Sequence, residues 1–336
     1  MENICRDLLS SLAVRLNHEH NLLLLGGSGF FGKSIVNFLI KLKVEYEIQI
    51  NLTILSRNAK KFMKEYNLQR YNWLEFVDSD ITNLKIDLNK YSRIIHAATP
   101  SHNIDDMSAK DRYEFILSST NKIIEKLSKS NNILFISSGD VYADFSRKNS
   151  ESSNINSSSD INMHAYSLAK VKSENLFINM SKDMDIPVKI ARCFAFIGEY
   201  LPLDAHFAIG NFVKNCIDNR DIIINGDGKT IRSYMYQDDL AYWLLYLLYS
   251  DNANLITNVG SDDSISIFDL AKKIKLLTNS DSKIKVLNNQ LENTRRFYVP
   301  DIKIARESYH LAPWTSLDQS IKKTYEYHKN IQKHNF

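Results

Sequence analysis

Cysteine is scarce in this chain: three in 336 residues, at Cys5, Cys193 and Cys216. The number is odd, and no pair has CxxC or metal-ligand spacing. That argues against a disulfide framework and against a bound metal, and for reduced thiols in a cytoplasm. Nine histidines are scattered without a zinc pattern. An excess of one charge is also missing. The net charge is +3 and no lysine/arginine cluster compensates, so no nucleic-acid partner is expected. Long apolar runs are absent too. The stretch Asn21 to Leu25 is far too short to span a bilayer, and the N-terminus lacks the charged region and apolar core of a signal peptide. No membrane association is expected. What is there is ordinary for a soluble globular protein, 44% apolar and 24% charged. The length suits one large domain or two modest ones sharing a cleft.

Ile4, Leu8, Leu9, Leu12 and Leu16 recur at helical spacing, which predicts an amphipathic N-terminal helix within residues 1–20. It packs on the body or, in the alternative, binds a partner or a membrane. Strands and helices then alternate. Strands are expected at Leu22–Leu25, Leu52–Leu55, Leu74–Val77, Arg93–Ala98, Ile133–Ser137 and Val188–Ala191, and helices at Lys33–Leu42, 109–129 and 164–182. Apolar strand cores alternating with helices indicate an α/β domain over residues 21–195, a parallel sheet covered on both faces. Residues 146–162, rich in Ser and Asn, read as a mobile surface loop that connects elements or covers a substrate. Residues 196–336 carry helices near 206–218, 238–249, 267–278 and 316–328 between short strands. They predict a smaller lobe, with some segments returning to the sheet. Gly226-Asp227-Gly228 is a hairpin signal.

Gly26-Gly27-Ser28-Gly29-Phe30-Phe31-Gly32 follows a strand and opens a helix. Glycines let such a turn tighten and let backbone N–H groups approach a pyrophosphate, with the helix N-terminus adding partial positive charge. The spacing is GxxGxxG, which departs from the more familiar GxGxxG. The second strand ends Leu55-Ser56-Arg57, with no acid to accept a bond from a ribose 2′-hydroxyl. Arg57 suits a 2′-phosphate instead, so the expected cofactor is NAD or NADP with a lean toward NADP. Gly26, Ser28, Gly29, Phe30, Phe31, Gly32, Ser56 and Arg57 are the candidate cofactor residues here. Asp80 and Ile81, after the third strand, are candidates for the adenine. Ala97, Ala98 and Thr99, after His96 on the fourth, lie on the expected cofactor path, and His96 itself reads as a satisfied structural histidine.

Ser138 ends the fifth strand, and Tyr166 and Lys170 follow, i,i+4 on one helix and so on one face. A free phenol titrates near 10, and a nearby ammonium favours its ionised form. Lowering it by about 3 units takes roughly 4 kcal/mol of differential interaction. Ser138 would hydrogen-bond the same substrate oxygen. This is a kit for moving a hydride between a nicotinamide and a carbon that bears oxygen. The same spacing recurs at Tyr325 and Lys329, with no serine-bearing loop before it, and reads there as a surface coincidence.

With these segments in view, the chain resembles an extended short-chain dehydrogenase/reductase of the nucleotide-sugar epimerase/dehydratase family. The resemblance is carried by GGSGFFG (26–32), HAAT (96–99), SSGDVY (137–142), YSLAK (166–170), INGDGKTIRSYMYQDDLA (224–241), NVGS (258–261) and RRFYVPDIKIAR (295–306). It implies a Rossmann-type doubly wound parallel sheet with a smaller C-terminal substrate-binding lobe. It implies Tyr166 as catalytic base, Lys170 on the nicotinamide ribose, Ser138 on the sugar's C4 oxygen, and Arg232 with Arg295 or Arg296 near the diphosphate of a nucleotide-sugar substrate. It also implies a homodimer paired through helices 109–129 and 164–182. Two departures stand out. Gly139-Asp140 replaces the acidic pair that follows the catalytic Ser/Thr in the family's dehydratases. Asp140 is then a proton donor or acceptor, or a cap on the loop before Val141-Tyr142. Ala195 stands where an Asn usually contacts the sugar nucleotide. Dehydration and epimerisation both fit, leaning toward a 4,6-dehydratase. An NADPH-dependent 4-ketoreductase and a non-catalytic cofactor-binding protein on the same fold are the alternatives.

Overall fold

The structure, a computed structural model, describes residues 2–17, 20–99, 107–205, 207–253, 255–288 and 296–334. In chain order its strands are β1 (His20–Leu25), β2 (Ile50–Ser56), β3 (Leu74–Asp78), β4 (Arg93–His96), β5 (Asn132–Ser138), β6 (Val188–Cys193), β7 (Phe196–Ile197), β8 (Ile222–Ile224), β9 (Ile231–Ser233), β10 (Met235–Tyr236), β11 (Ile256–Val259), β12 (Ser264–Ser266), β13 (Ile284–Val286) and β14 (Phe297–Tyr298). The helices are α1 (Glu2–Leu16), α2 (Phe30–Tyr46), α3 (Ala59–Glu65), α4 (Ala109–Ile124), α5 (Ile161–Met184), α6 (Ala208–Ile217), α7 (Gln237–Leu248), α8 (Ile267–Leu277), α9 (Lys303–Tyr309) and α10 (Leu317–His334). Among these residues no helix is long and apolar enough to cross a membrane, and no cluster of His, Cys, Asp or Glu is able to hold a metal.

The chain divides into two compact units. The first comprises residues 1–143, 154–193 and 241–257, and the second 144–153, 194–240 and 258–336. A seven-stranded sheet organises the first, in the order β11-β6-β5-β4-β1-β2-β3, with β1 to β6 paired in parallel. This is the doubly wound arrangement, and its order reverses between β1 and β4. Leu22, Leu23, Leu24 and Leu25 of β1 are all completely buried. A central strand covered on both faces reads as a continuous apolar run, and each such leucine contributes roughly 1.5–3 kcal/mol. On one face Leu23, Leu25 and Phe135 pack with Phe177 and Met180 of α5 and Ile123 of α4. α1 packs on the body: Leu12 and Leu16 are fully buried, the Tyr242 hydroxyl donates to the Leu8 carbonyl, and Arg15 donates to the Tyr249 carbonyl.

The second unit is built from small pieces. β9 pairs antiparallel with β12 and parallel with β14, while β8 pairs with β13 and β7 with β10. Gly226-Asp227-Gly228 is therefore not a hairpin. It joins two strands that belong to different sheets, with Gly228 at φ +73 and the Asp227 carboxylate accepting from the Lys229 N–H. The Ser/Asn-rich segment 146–162 is also not the loose loop its composition predicts. Asn149 is 2% exposed, bridges to Pro300, and has its carbonyl bonded by the Asn258 side chain. Further along, Ile155 bridges to Tyr142 and the Asn156 N–H donates to the Val141 carbonyl. The polar side chains there serve as backbone partners within a fixed course.

Candidate active site

In an open parallel sheet, ligands bind beyond the carboxyl ends of the strands, at the point where the order reverses. The glycine turn leaves β1 at that end. The Gly26 N–H donates to the Leu55 carbonyl and the Ala97 N–H to the Leu25 carbonyl, which draws the ends of β1, β2 and β4 together. Gly26 has φ +88, and a Cβ on it would come within 2.7 Å of the Ala97 and Ala98 backbone. Gly27 and Gly32 touch back to back, a Cβ on Gly32 falling 2.3 Å from Gly27. Gly29 differs, since a Cβ there would meet only the Gly26 carbonyl oxygen at an ordinary 3.5 Å. Nothing inside the protein requires that glycine. It is the N-cap of α2 and makes no side-chain capping bond, so the first turn of a 17-residue helix stays accessible through a gap that a side chain would fill. Such a cradle fits a pyrophosphate.

The neighbouring candidates vary in character. Ser56 is buried, and its hydroxyl has no hydrogen-bond partner among the described residues, while Arg57 is exposed. Asp80 has its Oδ1 engaged by the Thr82 N–H and hydroxyl, and Ile81 is buried in the core, so both side chains hold the turn after β3. His96 packs beside Phe135 and Phe177. It is structural in its packing, but its Nδ1 has no hydrogen-bond partner among the described residues, and burial pushes it down to about 3, helped by Lys170. It is neutral at pH 7.

Ser138, Tyr166 and Lys170 come together at the ends of β4 and β5. α5 starts at Ile161, capped by Asp160, and kinks at His164, two residues ahead of Tyr166 and six ahead of Lys170. Lys170 is 1% exposed; its Nζ donates to the Thr99 hydroxyl at 2.8 Å and to the Ile136 carbonyl at 2.7 Å. Burial pushes its ammonium down to about 7, against the pull of Glu174. Tyr166 is pushed up to about 12, first by burial and then by the Asp140 charge; a hydrogen bond with Ser138 and the charge of Arg112 oppose this. Lys170 lies 5.8 Å from the Tyr166 ring centroid, and the cation resting on that ring is Arg112 of α4, at 4.4 Å. Sequence reasoning assigned the tuning cation to Lys170 and missed Arg112. An arginine in the second turn of an amphipathic helix carries no signal that it faces a tyrosine 54 positions on. Asp140 is not the cap of its turn. Ser138 is, with its hydroxyl accepting the Asp140 N–H at 3.2 Å.

Beneath this group lies a buried ionic network. Arg192, 1% exposed, donates to both oxygens of Glu174, 2% exposed, and to the Tyr142 hydroxyl at 3.2 Å; the Ser137 hydroxyl donates to Glu174. Three of its members adjoin the site in sequence: Ser137 precedes Ser138, Glu174 is one turn past Lys170, and Arg192 precedes Cys193, whose thiol burial pushes far above its usual range. Cys193 and Cys216 are buried free thiols.

The predicted diphosphate residues lie in the second unit. Arg232 of β9 is half-buried, donates to the Ile231 carbonyl at 2.8 Å and sits 5.7 Å from the Tyr298 ring, which packs on Phe145 and Phe194. Arg296 is exposed, and its carbonyl accepts from the Ile231 N–H. Arg295 lies outside the described residues. Tyr325 and Lys329, the second copy of the spacing, stand at the surface of α10.

Residues 22–260 match the model of a family described as the NAD dependent epimerase/dehydratase family. Among curated proteins, the chain is similar to a trifunctional UDP-glucose 4,6-dehydratase/UDP-4-keto-6-deoxy-D-glucose 3,5-epimerase/UDP-4-keto-L-rhamnose-reductase of Arabidopsis thaliana, 23% identical over 92% of the chain and 47% of that protein. It is 27% identical to a dTDP-D-glucose 4,6-dehydratase of Dictyostelium discoideum, over 75% of the chain and 61% of that protein. The chain thus spans about half to three fifths of the length of these two relatives. A UDP-glucuronic acid decarboxylase of Arabidopsis thaliana is 25% identical over 89% of the chain and 86% of its own length. Among solved structures, a dTDP-glucose 4,6-dehydratase from Bacillus anthracis in complex with NAD superimposes with a TM-score of 0.79 at 18% identity, over 94% and 98% of the two chains. A UDP-glucuronic acid 4-epimerase from Bacillus cereus in complex with UDP-glucuronic acid and NAD gives 0.79 at 19%, over 93% and 99%. These likenesses show the fold.

Proposed function

The chain belongs to the NAD dependent epimerase/dehydratase family, and from that premise we propose that it oxidises C4 of a nucleotide-linked hexose and then remodels the ring as a 4,6-dehydratase does. The observation that carries this is the grouping of Ser138, Tyr166 and Lys170 with Thr99 at the carboxyl ends of β4 and β5, on the sheet edge where the glycine turn leaves β1. The turn, Ser56 and Thr99 would hold the dinucleotide, and Lys170 its nicotinamide ribose. When bound, the nicotinamide supplies a two-electron hydride acceptor.

The protein's own residues handle protons. Ser138 orients the substrate oxygen. Tyr166, protonated in the protein alone at pH 7, exchanges a proton with that oxygen. Burial holds it neutral, so extra positive charge nearby is needed for it to act as a base. Asp140, released from capping its turn, is the carboxylate that would move the proton beside a C4 ketone. Arg232 and Arg296, planar and permanently charged, would take the diphosphate.

A second reading has its own observation. Ser56 leaves a buried hydroxyl without a partner and Arg57 follows it, a pair suited to a 2′-phosphate and hence to exchangeable NADPH and a 4-ketoreductase. Two finer expectations belong to the same proposal: a cytoplasmic enzyme with reduced thiols, and a homodimer through α4 and α5. Incubation with UDP-, GDP-, dTDP- and CDP-hexoses and mass readout tests the leading reading. Loss of one water supports it. Unchanged mass with altered stereochemistry makes the protein an epimerase, and consumption of added NADPH makes it a reductase. No conversion of any sugar overturns the enzymatic reading.

A further inference from the structure

Arg112 belongs to no motif that marks the family resemblance, yet it is the cation that rests on the Tyr166 ring. Its placement is built from the chain upward. Ser108 caps α4, accepting from the Asp111 N–H and donating to the Asp111 carboxylate at 2.7 Å. Further along, the buried hydroxyls of Thr120 on α4 and Ser173 on α5 meet at 2.9 Å. Counting back eight residues from Thr120 gives Arg112, and seven from Ser173 gives Tyr166. At 1.5 Å per residue both steps are about two turns. One hydroxyl contact and a common offset thus bring the guanidinium over the ring, 4.4 Å from its centroid.

We infer that Arg112 is the positioning residue for Tyr166: it stacks on the phenol ring, fixes its orientation, and is the cation that stabilises the ring's ionised form. Three observations separate it from Lys170. A guanidinium is planar, stacks on an aromatic face and stays charged at any working pH. Lys170 is neither planar nor permanently charged, since burial brings its titration to about 7. Two of the three ammonium protons of Lys170 already go to the neutral oxygens of Thr99 and Ile136. The groups that face Tyr166 from its surroundings are Arg112 on α4, Asp140 on the turn after β5, Ser138 at the end of β5, Cys193 at the end of β6, and Lys170 on its own helix. Asp140 acts on Arg112 as well as on Tyr166, so the two charges push the phenol in opposite directions.

The inference builds on the reading of Tyr166 as the proton-transfer group, but its test does not need turnover. The 17 tyrosines are replaced biosynthetically by 3-fluorotyrosine, whose more acidic phenol titrates within reach, and ¹⁹F resonances are followed against pH. The resonance missing from Tyr166→Phe belongs to Tyr166. Arg112→Met is expected to raise its midpoint by about one pH unit or more, Arg112→Lys by less, and Asp140→Asn to lower it. Lys170→Met should move it less than Arg112→Met does. Arg112→Gln, which keeps a polar chain of similar reach, answers the same question where the Met variant does not fold. An unmoved midpoint in both neutral variants, equal rises for Lys and Met at position 112, or a larger rise from Lys170→Met overturns the inference. Inactivity toward every sugar alongside the expected shifts would overturn the proposed function and leave this one standing.

Discussion

On α10, Lys329 Nζ donates to the Tyr325 hydroxyl at 2.8 Å in solvent. On α5, the same two residue types at the same spacing do something else: Lys170 turns to Thr99 and Ile136, and an arginine from another helix takes its place on the tyrosine ring. The surface pair makes the better direct contact and has the poorer chemistry. Water screens it, and side-chain entropy offsets what it gains. At the buried pair, desolvation moves the lysine down to about 7 and the phenol up to about 12. Helical spacing puts two side chains on one face, and only burial and neighbours give them a job.

The sharpest way to break this comparison is to remove each phenol in turn. Tyr166→Phe is expected to lower kcat/KM on the active nucleotide sugar by about 10²–10⁴-fold, the usual worth of a positioned acid–base group. Tyr325→Phe should leave kcat/KM unchanged. Equal losses from the two would mean that the buried setting confers nothing.

Next in size is the network beneath the site. Glu174→Ala leaves the Arg192 guanidinium buried without its carboxylate, and the expected loss is about 3–5 kcal/mol in urea or guanidinium unfolding. A loss under 1 kcal/mol would show that water reaches Arg192.

The third test uses the depressed titration of Lys170. With a folded value near 7 and an ordinary unfolded one near 10.4, the unfolded chain binds more protons between those values, so this group's contribution to stability rises with pH across that window. Lys170→Met is therefore expected to show its largest stability advantage over the parent near pH 7, with the gap narrowing by pH 9.5. A constant gap would place Lys170 in contact with solvent. Lys329→Met is the smallest expected effect, within about 0.5 kcal/mol at any pH.

These contrasts also mark how far the sequence could be read. The doubly wound sheet was legible because its signals are local: four leucines in β1, a glycine-rich turn directly after it, alternating apolar strands and helices. Ser138, Tyr166 and Lys170 were legible through order and spacing, and the surface role of Tyr325 through the lack of a loop before it. What stayed hidden depends on partners far along the chain. Arg112 meets Tyr166 because Thr120 meets Ser173. Asn149 is held by Asn258, so a composition typical of loose loops gives an anchored segment. Gly226-Asp227-Gly228 has the chemistry of a tight turn, but pairing with β12, β13 and β14 sends its two flanking strands to different sheets. α4 ends at Ile124 rather than near 129, as the Lys126 and Leu127 N–H groups bond three residues back.

The Glu174–Arg192 pair has a consequence for how the protein fails on heating. Arg192 is the immediate chain neighbour of Cys193, and Glu174 lies one turn from Lys170 and accepts from Ser137, the neighbour of Ser138, so loosening the reactive group is expected to require opening of the domain's interior. Amide exchange around Ser138 and Arg192 is therefore expected to fall in the slowest class in the molecule, opening only with the whole sheet. Heat inactivation and global melting are then expected to coincide, with no disarmed yet folded form on a gentle rise in temperature.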